Sequence, residues 1–155
     1  LSTKYMIVPN MGNKTSQIKI SFDEVQNKIK GANGTSTAIL NITTCIFINT
    51  LPENKQSCLI PTTTVSSEEE GTINKLLKNN SDVEIIIYGM NNNDESVIRK
   101  YKQLVSLGFQ NIYIYLGGMF EWLLLQDIYG NDNFPTTSRE LDIMKYKPSK
   151  KSDTL

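Results

Sequence analysis

The stretch EIIIYGMNNNDES, residues 84–96, determines the fold class of this chain. A run of apolar residues leads into Gly89 and a loop of amide side chains, which ends in two acids and a serine. Short apolar runs bounded by turn residues are typical of strands buried on both faces. In α/β proteins, ligands bind where such a strand ends. The sequence therefore raises the question of whether residues 89–96 form an active-site loop.

Three further strands are predicted around this stretch. Residues 45–49 (CIFIN) and 111–115 (NIYIY) are short apolar runs, and residues 17–21 (QIKIS) alternate between apolar and polar side chains. The run VEIIIY, which begins one residue before the opening stretch, predicts a strand at 83–88. We expect the apolar runs to be buried strands of one sheet.

Four helices are predicted between and after these strands. The first follows Ser21, which forms a capping box with Glu24, and we expect it to stop at Gly31. The second covers residues 66–80, where an acidic start and a lysine-containing end complement the helix dipole. In the third, Asp94 caps the start and Gly108 ends the helix. The fourth, within residues 117–130, is apolar almost all round and is expected to be largely buried.

This alternation predicts a single α/β domain whose central parallel sheet is flanked by helices on both faces. A length of 155 residues fits one domain with one core. We place the domain at residues 17–130, after an N-terminal extension at 1–16. Residues 131–155 are predicted to form a polar C-terminal tail, extended, partly wrapped on the domain and frayed at its end.

Composition excludes several classes of function. The formal net charge is zero, which argues against nucleic acid as a partner. No apolar run approaches the roughly 18 residues of a membrane span. The chain has no histidine, so it lacks the commonest general base and zinc ligand, and neither a metal nor a cofactor is expected. Cys45 and Cys58 are too few for a disulfide scaffold and indicate free thiols in a reducing, cytoplasmic compartment.

Residues 17–130 resemble a rhodanese-like domain, roughly three quarters of the chain. That family has a strand ending in Tyr-Cys, a loop, a helix, Gly-Phe, another strand and Gly-Gly-x-x-x-Trp. The matching residues are Gly108-Phe109, Asn111–Tyr115, Gly117-Gly118 and Trp122. Of the family's His-Ile-Pro-Gly-Ala stretch only Ile60 and Pro61 remain, and Asn49 and Leu51 stand where it has an acid and an arginine. The resemblance is therefore strong in the C-terminal half and weak in the N-terminal half.

The resemblance implies that the nucleophile is missing. An active rhodanese uses a cysteine at the end of this strand to attack sulfur and to carry a persulfide. The matching residue is Gly89, which has no side chain, so no persulfide can form there. Cys45, at the start of a strand, is interpreted as a small buried hydrophobe. Cys58, in a loop, remains a candidate for a displaced nucleophile.

The charges of the loop also argue against activity on an anionic substrate. Asp94 and Glu95 would occupy the positive end of the following helix, so a thiosulfate or phosphate would meet like charge there. The loop looks a residue longer than a sulfurtransferase loop and closer to that of cell-cycle phosphatases that share the fold. That family needs a cysteine and an arginine, and Gly89 and Glu95 stand in their places.

Other side chains allow both a functional and a structural interpretation. Asp94 with Glu95 could form a carboxylate or metal site, but an N-cap is the favoured interpretation. Glu68, Glu69 and Glu70 could form a cation site, but a solvated helix start is favoured. Basic residues in the tail are interpreted as solubilising rather than as a docking site for an acidic partner. They are Lys145, Lys147, Lys150 and Lys151. Trp122 and Tyr129 are assigned to the core rather than to a ligand pocket.

The preferred hypothesis is therefore a catalytically inactive rhodanese-like domain that acts as a protein-binding or structural module, with another protein as partner. The expected contact surface is the degenerate loop with the neighbouring residues Pro61–Thr64. The loop consists of Gly89, Met90, Asn91, Asn92, Asn93, Asp94, Glu95 and Ser96. The alternative is a sulfurtransferase or phosphatase-like enzyme that uses Cys58. A third, weaker hypothesis is a subunit held in a larger assembly by its tail.

Overall fold

A computed structural model of the chain describes residues 18–33 and 44–150. Within them lie five strands: β1 (Lys19–Ile20), β2 (Cys45–Asn49), β3 (Thr63–Thr64), β4 (Glu84–Tyr88) and β5 (Ile112–Tyr115). All pair in parallel, in the order β1-β5-β4-β2-β3, which confirms the predicted parallel sheet. The prediction missed β3, because two threonines give no apolar run. The central strand β4 is the run that opens residues 84–96.

The described residues also contain four α-helices: α1 (Phe22–Asn33), α2 (Ser66–Asn79), α3 (Glu95–Leu107) and α4 (Gly118–Tyr129). The capping box forms, because the Ser21 amide donates to a Glu24 carboxylate oxygen over 2.8 Å. Gly31 does not end α1, which continues to Asn33; the predicted stop was wrong. Gly108 ends α3 in the left-handed conformation, φ 110°, as predicted. Short 3₁₀ turns lie at Glu53–Lys55 and Ile143–Tyr146.

The sheet is covered on both faces, as predicted. Alternate residues of a strand point to opposite faces, so Ile86 and Tyr88 join one core cluster while Ile85 and Ile87 join the other. The first cluster includes residues of α1 and α4, and the second includes residues of α2 and α3. No helix among the described residues is long and apolar enough to cross a membrane.

Helix α4 is less buried than its composition indicated. It packs through Met119, Trp122 and Leu123, which recur at the i, i+3, i+4 spacing of one helical side. The opposite side stays in solvent, where Ile128 is 68% exposed, and Tyr129, at the C-terminal end of the helix, is 60% exposed. Trp122 is therefore a core residue, as predicted, whereas the assignment of Tyr129 to the core was wrong.

Residues 131–150, here called the C-terminal segment, pack on the α1/α4 face. The Phe134 ring lies 5.0 Å from the Trp122 ring, edge to face, and the Trp122 indole donates to the carbonyl oxygen of Pro135 over 2.9 Å. The Thr137 amide donates to the Leu59 carbonyl oxygen, and the Leu59 amide donates to the Thr137 hydroxyl. Tyr146 is fully buried. The predicted extension at 1–16 and the frayed end at 151–155 lie outside the described residues.

Candidate functional site

Residues 89–96, here called the β4–α3 loop, lie at the edge of the sheet where the parallel strands end. The amides of the first turn of α4 hold the loop in place: Met119 donates to the Gly89 carbonyl oxygen over 3.0 Å, and Phe120 donates to that of Met90 over 2.9 Å. These two donors belong to the four amides that a helix start leaves without intrahelical partners. The carbonyl oxygens of the loop therefore serve as hydrogen-bond acceptors for amides at the N-terminus of α4.

This close approach of loop and helix depends on Gly118. Its φ is 63°, and a Cβ atom built there would lie 2.5 Å from the Gly89 carbonyl oxygen. Only glycine combines this conformation with such contact. The Gly117-Gly118 pair, which the resemblance singled out, thus allows α4 to begin directly against the loop.

The carboxylate of Asp94 folds back into the loop. Its Oδ1 accepts hydrogen bonds from the amide and the hydroxyl of Ser96, which makes it the N-cap of α3, as the structural interpretation predicted. Its Oδ2 accepts from the Met90 amide over 2.9 Å. One carboxylate therefore joins both ends of the loop and receives three hydrogen bonds.

Gly89 faces this carboxylate with no space for a side chain. A Cβ built at position 89 would lie 2.4 Å from Asp94 Oδ2, 2.7 Å from Val97 Cγ2 and 2.8 Å from Thr50 Oγ1. Real Cβ atoms essentially never come that close to other atoms, so any other residue would force the surroundings to move. Position 89 is thus packed as a glycine.

Thr50 is an unusual neighbour. It follows β2, and its amide donates to the Tyr88 carbonyl oxygen over 3.0 Å. Its hydroxyl oxygen is buried without a hydrogen-bond partner within the described part of the chain. A buried hydroxyl without a partner costs free energy. No pattern in the sequence marked this residue.

The three asparagines of the loop have different roles. Asn91 is 7% exposed, and its Nδ2 donates to the Tyr146 carbonyl oxygen over 2.8 Å. Its Oδ1 accepts from the Asn93 amide over 2.9 Å. Asn92 and Asn93 are exposed. Asn91 therefore ties the loop to the C-terminal segment, while its two neighbours face solvent.

Beside the loop lies an open cavity of about 360 Å³. Its lining consists of Thr50, Pro52, Met90, Asn91, Asn93, Asp94, Ser96 and Ser149. The Asp94 carboxylate is the charged group of this lining, and no lysine or arginine belongs to it. The cavity therefore provides no cation for an anionic substrate.

Glu95 does not add a second carboxylate to the cavity lining. Its side chain is 90% exposed and lies 3.9 Å from Arg99, one turn along α3. Asp94 turns into the loop while Glu95 points to solvent, so the two do not act as a pair. The described residues contain no cluster of three or more side chains that could hold a metal ion.

Both cysteines lie away from the cavity lining. Cys58 is 1% exposed, its thiol donates to the Ser138 carbonyl oxygen over 3.3 Å, and burial raises its pKa. Cys45, at the start of β2, has its pKa raised to about 11 by burial, with a further contribution from Glu84. Since the thiolate is the nucleophile, both environments reduce reactivity.

The stretch Pro61–Thr64, expected beside the loop, is linked to β4 through Tyr88. The buried Tyr88 hydroxyl accepts from the Ile60 amide over 3.1 Å and lies 2.8 Å from the Thr63 hydroxyl. Burial raises the pKa of Tyr88, so the phenol stays protonated. Thr62 adopts φ 69°, a strained conformation for a β-branched residue.

Two of the remaining candidates, Glu69 and Lys145, form ion pairs. Glu69 pairs with Lys100 of α3, across the two helices on one face of the sheet. Lys145 pairs with Glu140 over 2.7 Å within the C-terminal segment. These contacts support the structural interpretation of the helix start at 68–70 and give Lys145 an intramolecular partner.

Fold and site together define a class: a single α/β domain with a five-stranded parallel sheet and a short loop between its central strand and the next helix. The family model described as "Rhodanese-like domain" matches residues 46–125, just over half of the 155-residue chain. The chain therefore belongs to the rhodanese-like family.

Solved structures agree with this fold. A crystal structure of a Lactobacillus plantarum protein aligns with a TM-score of 0.55 and 14% identity, over 77% of this chain and 92% of that one. A Bacillus halodurans protein aligns with a TM-score of 0.54 and 15% identity, over 79% of this chain and 83% of that one. The full-length Lactobacillus plantarum protein aligns with a TM-score of 0.53 and 12% identity, over 77% of this chain and 91% of that one. A search of curated proteins found no match. Identities this low show the fold alone.

Proposed function

We propose that this chain is a rhodanese-like domain without sulfurtransferase activity, which serves as a protein-binding or structural module. The observation that carries the proposal is the packing around Gly89, the position that corresponds to the family's cysteine. The space where a side chain would begin there is filled by Asp94 Oδ2, 2.4 Å from the ideal Cβ position. A group that carries sulfur needs that space.

The charge of the cavity supports the same proposal. Thiosulfate is a dianion, and a site for it needs hydrogen-bond donors or cations. In this chain the Met90 and Ser96 amides donate to Asp94 instead. A substrate anion would have to displace a covalently attached carboxylate and would meet its negative charge.

Cys58 is poorly placed to act as a displaced nucleophile. Its thiol is buried, its hydrogen bond is directed to the Ser138 carbonyl oxygen, and its pKa is raised. Attack on sulfur or phosphorus would require the C-terminal segment to move away from Cys58 first. The buried thiol is better explained as a core side chain.

A retained fold without its nucleophile still presents a surface for binding. Asn92, Asn93 and Glu95 are exposed on the β4–α3 loop, and Thr62 is exposed within the stretch Pro61–Thr64. We place the contact surface for a protein partner on the β4–α3 loop together with Pro61–Thr64.

A sulfur-transfer assay tests the proposal. In an active rhodanese, a thiolate attacks the outer sulfur of thiosulfate, releases sulfite and passes the sulfur to cyanide as thiocyanate. We expect the purified chain to form no thiocyanate above the buffer rate. Intact-protein mass spectrometry after incubation with thiosulfate should show no added sulfur atom.

The two cysteines provide matched controls. Cys58→Ser and Cys45→Ser should behave as the wild type in both measurements. Thiocyanate turnover, or an added sulfur, that disappears in Cys58→Ser alone would overturn the proposal in favour of a displaced nucleophile.

A further inference from the structure

We propose that this chain associates with copies of itself head to tail, with the exposed side of α4 in one molecule packed against an exposed side of α3 in the next. The inference goes beyond the proposed function, because it concerns two helix surfaces and a second copy of this chain. It is independent of the contact surface on the β4–α3 loop and Pro61–Thr64.

The first surface, here called the α4 patch, consists of Leu124, Asp127 and Ile128. Leu124 and Ile128 are one helical turn apart, on the side of α4 that faces away from the buried Trp122. Leu124 is 40% exposed, and Ile128 is more exposed still. The outward side of a surface helix is normally polar, so two aliphatic side chains there favour a contact surface.

The second surface, here called the α3 patch, consists of Ile98, Lys102 and Val105. These residues recur at the i, i+4, i+7 spacing of one helical side. Ile98 is 40% exposed and Val105 is 41% exposed, whereas the residues before them, Val97 and Leu104, are buried in the core. The α3 patch therefore resembles the α4 patch in having two aliphatic side chains and one charge, but its charge is positive.

Charge makes the two patches complementary. Helix α4 contains two acidic residues and no basic one, while α3 contains three basic residues and one acidic one. Asp127 and Lys102 are both exposed, and within the described part of the chain neither belongs to an ion pair. Two α4 patches would bring like charges together, as would two α3 patches. Contact between unlike patches is therefore favoured.

The fold decides how such contacts can be made. Helices α3 and α4 pack on opposite faces of the sheet, so the two patches of one molecule cannot meet each other. A contact has to join two molecules, and it leaves one α3 patch and one α4 patch free at the ends. Such a heterologous contact can be repeated. Since two helices bury little area, we expect weak association, with a Kd on the order of 100 μM.

Sedimentation velocity of the full chain, from about 10 μM to about 1 mM, measures this association. We expect the sedimentation coefficient to rise with concentration. Leu124→Ser/Ile128→Ser removes the apolar part of the α4 patch, and Ile98→Ser/Val105→Ser removes that of the α3 patch. Each variant alone should associate at least about tenfold more weakly than the wild type. Melting curves establish that both variants are folded.

An equimolar mixture of the two variants gives the sharpest test. Each variant keeps the patch that the other has lost, so one intact contact can form between them. The mixture should form a complex of two chains with the affinity of the wild-type contact. It should not grow further, because the two remaining patches lack their aliphatic side chains.

Two control variants separate the patches from general surface effects. Val65→Ser/Leu107→Ser removes two aliphatic side chains of similar exposure, 40% and 44%, outside both patches, and should associate as the wild type does. Asp127→Asn removes the charge of the α4 patch and leaves its aliphatic side chains. It should weaken association by about twofold to fivefold, as expected for an exposed ion pair.

A wild type that sediments as a monomer over the whole range would overturn the inference, as would a mixture of folded variants that stays monomeric. Wild-type association of the Ile98→Ser/Val105→Ser variant with itself would also overturn it, because α4 patches would then pair with one another. None of these results affects the proposed lack of sulfur transfer, which the thiocyanate assay decides separately.

Discussion

A double-mutant cycle at Gly89 and Asp94 tests the packing on which the function proposal depends. Gly89→Ala adds a single Cβ atom, which would lie 2.4 Å from Asp94 Oδ2, 2.7 Å from Val97 Cγ2 and 2.8 Å from Thr50 Oγ1. Overpacking of this kind costs about 1–3 kcal/mol of unfolding free energy. Since three atoms are crowded at once, we expect a loss of about 2 kcal/mol.

Asp94→Ala removes the N-cap of α3 and leaves the Met90 amide without its acceptor. Loss of an N-cap costs about 1 kcal/mol. In the double variant the closest of the three clashes is gone, so Gly89→Ala should cost less than it does alone. We expect a favourable coupling of about 1 kcal/mol between the two sites, within the range for residues in contact.

Unfolding in guanidinium chloride, followed by fluorescence, measures these free energies. The protein has one tryptophan, Trp122, which is fully buried, so its emission reports on the core. The control is Gly71→Ala within α2, where an added Cβ meets nothing within 4 Å. This control should gain roughly 1 kcal/mol from helix propensity.

The cycle would refute the packing argument if Gly89→Ala cost under about 0.5 kcal/mol, or if the two substitutions were additive within the ~0.5 kcal/mol expected of independent sites. The same geometry has a consequence for design. A cysteine at position 89 needs a second change at Asp94 before its thiol can be accommodated.

Three further outcomes are expected. Thr50→Val should leave stability unchanged or raise it by up to about 1 kcal/mol, since it removes a buried hydroxyl without a partner. The control Thr63→Val, which loses a hydroxyl bonded to Tyr88, should cost about 1 kcal/mol. Equal losses of unfolding free energy for the two variants in chemical denaturation would contradict this account. Thr62→Gly should stabilise the protein by about 1 kcal/mol by relieving its φ of 69°, and a lower melting temperature would argue against strain there. Burial on folding raises the pKa of the Cys45 thiol from its ordinary value of 9.0 to about 11, so above pH 9 this thiol ionises first in the unfolded chain. Stability should therefore fall between about pH 9 and 11, and Cys45→Ala should lose less over this range than the wild type; identical profiles would refute the assignment.

Some of the fold follows from the sequence because its determinants are local. The runs at β2 and β4 are continuous apolar stretches, and the ends of α3 are marked by Asp94 and Gly108. These residues act on their own neighbours through capping and backbone conformation. The end of α1 was misplaced, because glycine permits a stop without enforcing one.

The site was predicted only in part. The position of the loop follows from parallel strands ending at one edge, and the sequence singled out Gly89 and Asp94 as residues of this loop. The contact between them, the buried hydroxyl of Thr50 and the burial of Cys58 were not visible in sequence patterns. Each depends on segments that lie far apart in the chain, as in the hydrogen bond from Cys58 to Ser138.

The sequence by itself determined the parallel α/β architecture, the loop after the central strand and the absence of a side chain at Gly89, since apolar runs, caps and residue identity are local properties. Only the tertiary structure decided that the Asp94 carboxylate fills the space beside Gly89. It also decided that the C-terminal segment, polar in composition, completes the core through Phe134 and Tyr146 and contributes Ser149 to the cavity lining. The physical reason is that packing, unlike strand and helix propensity, depends on which distant surfaces remain to be covered once the sheet has formed.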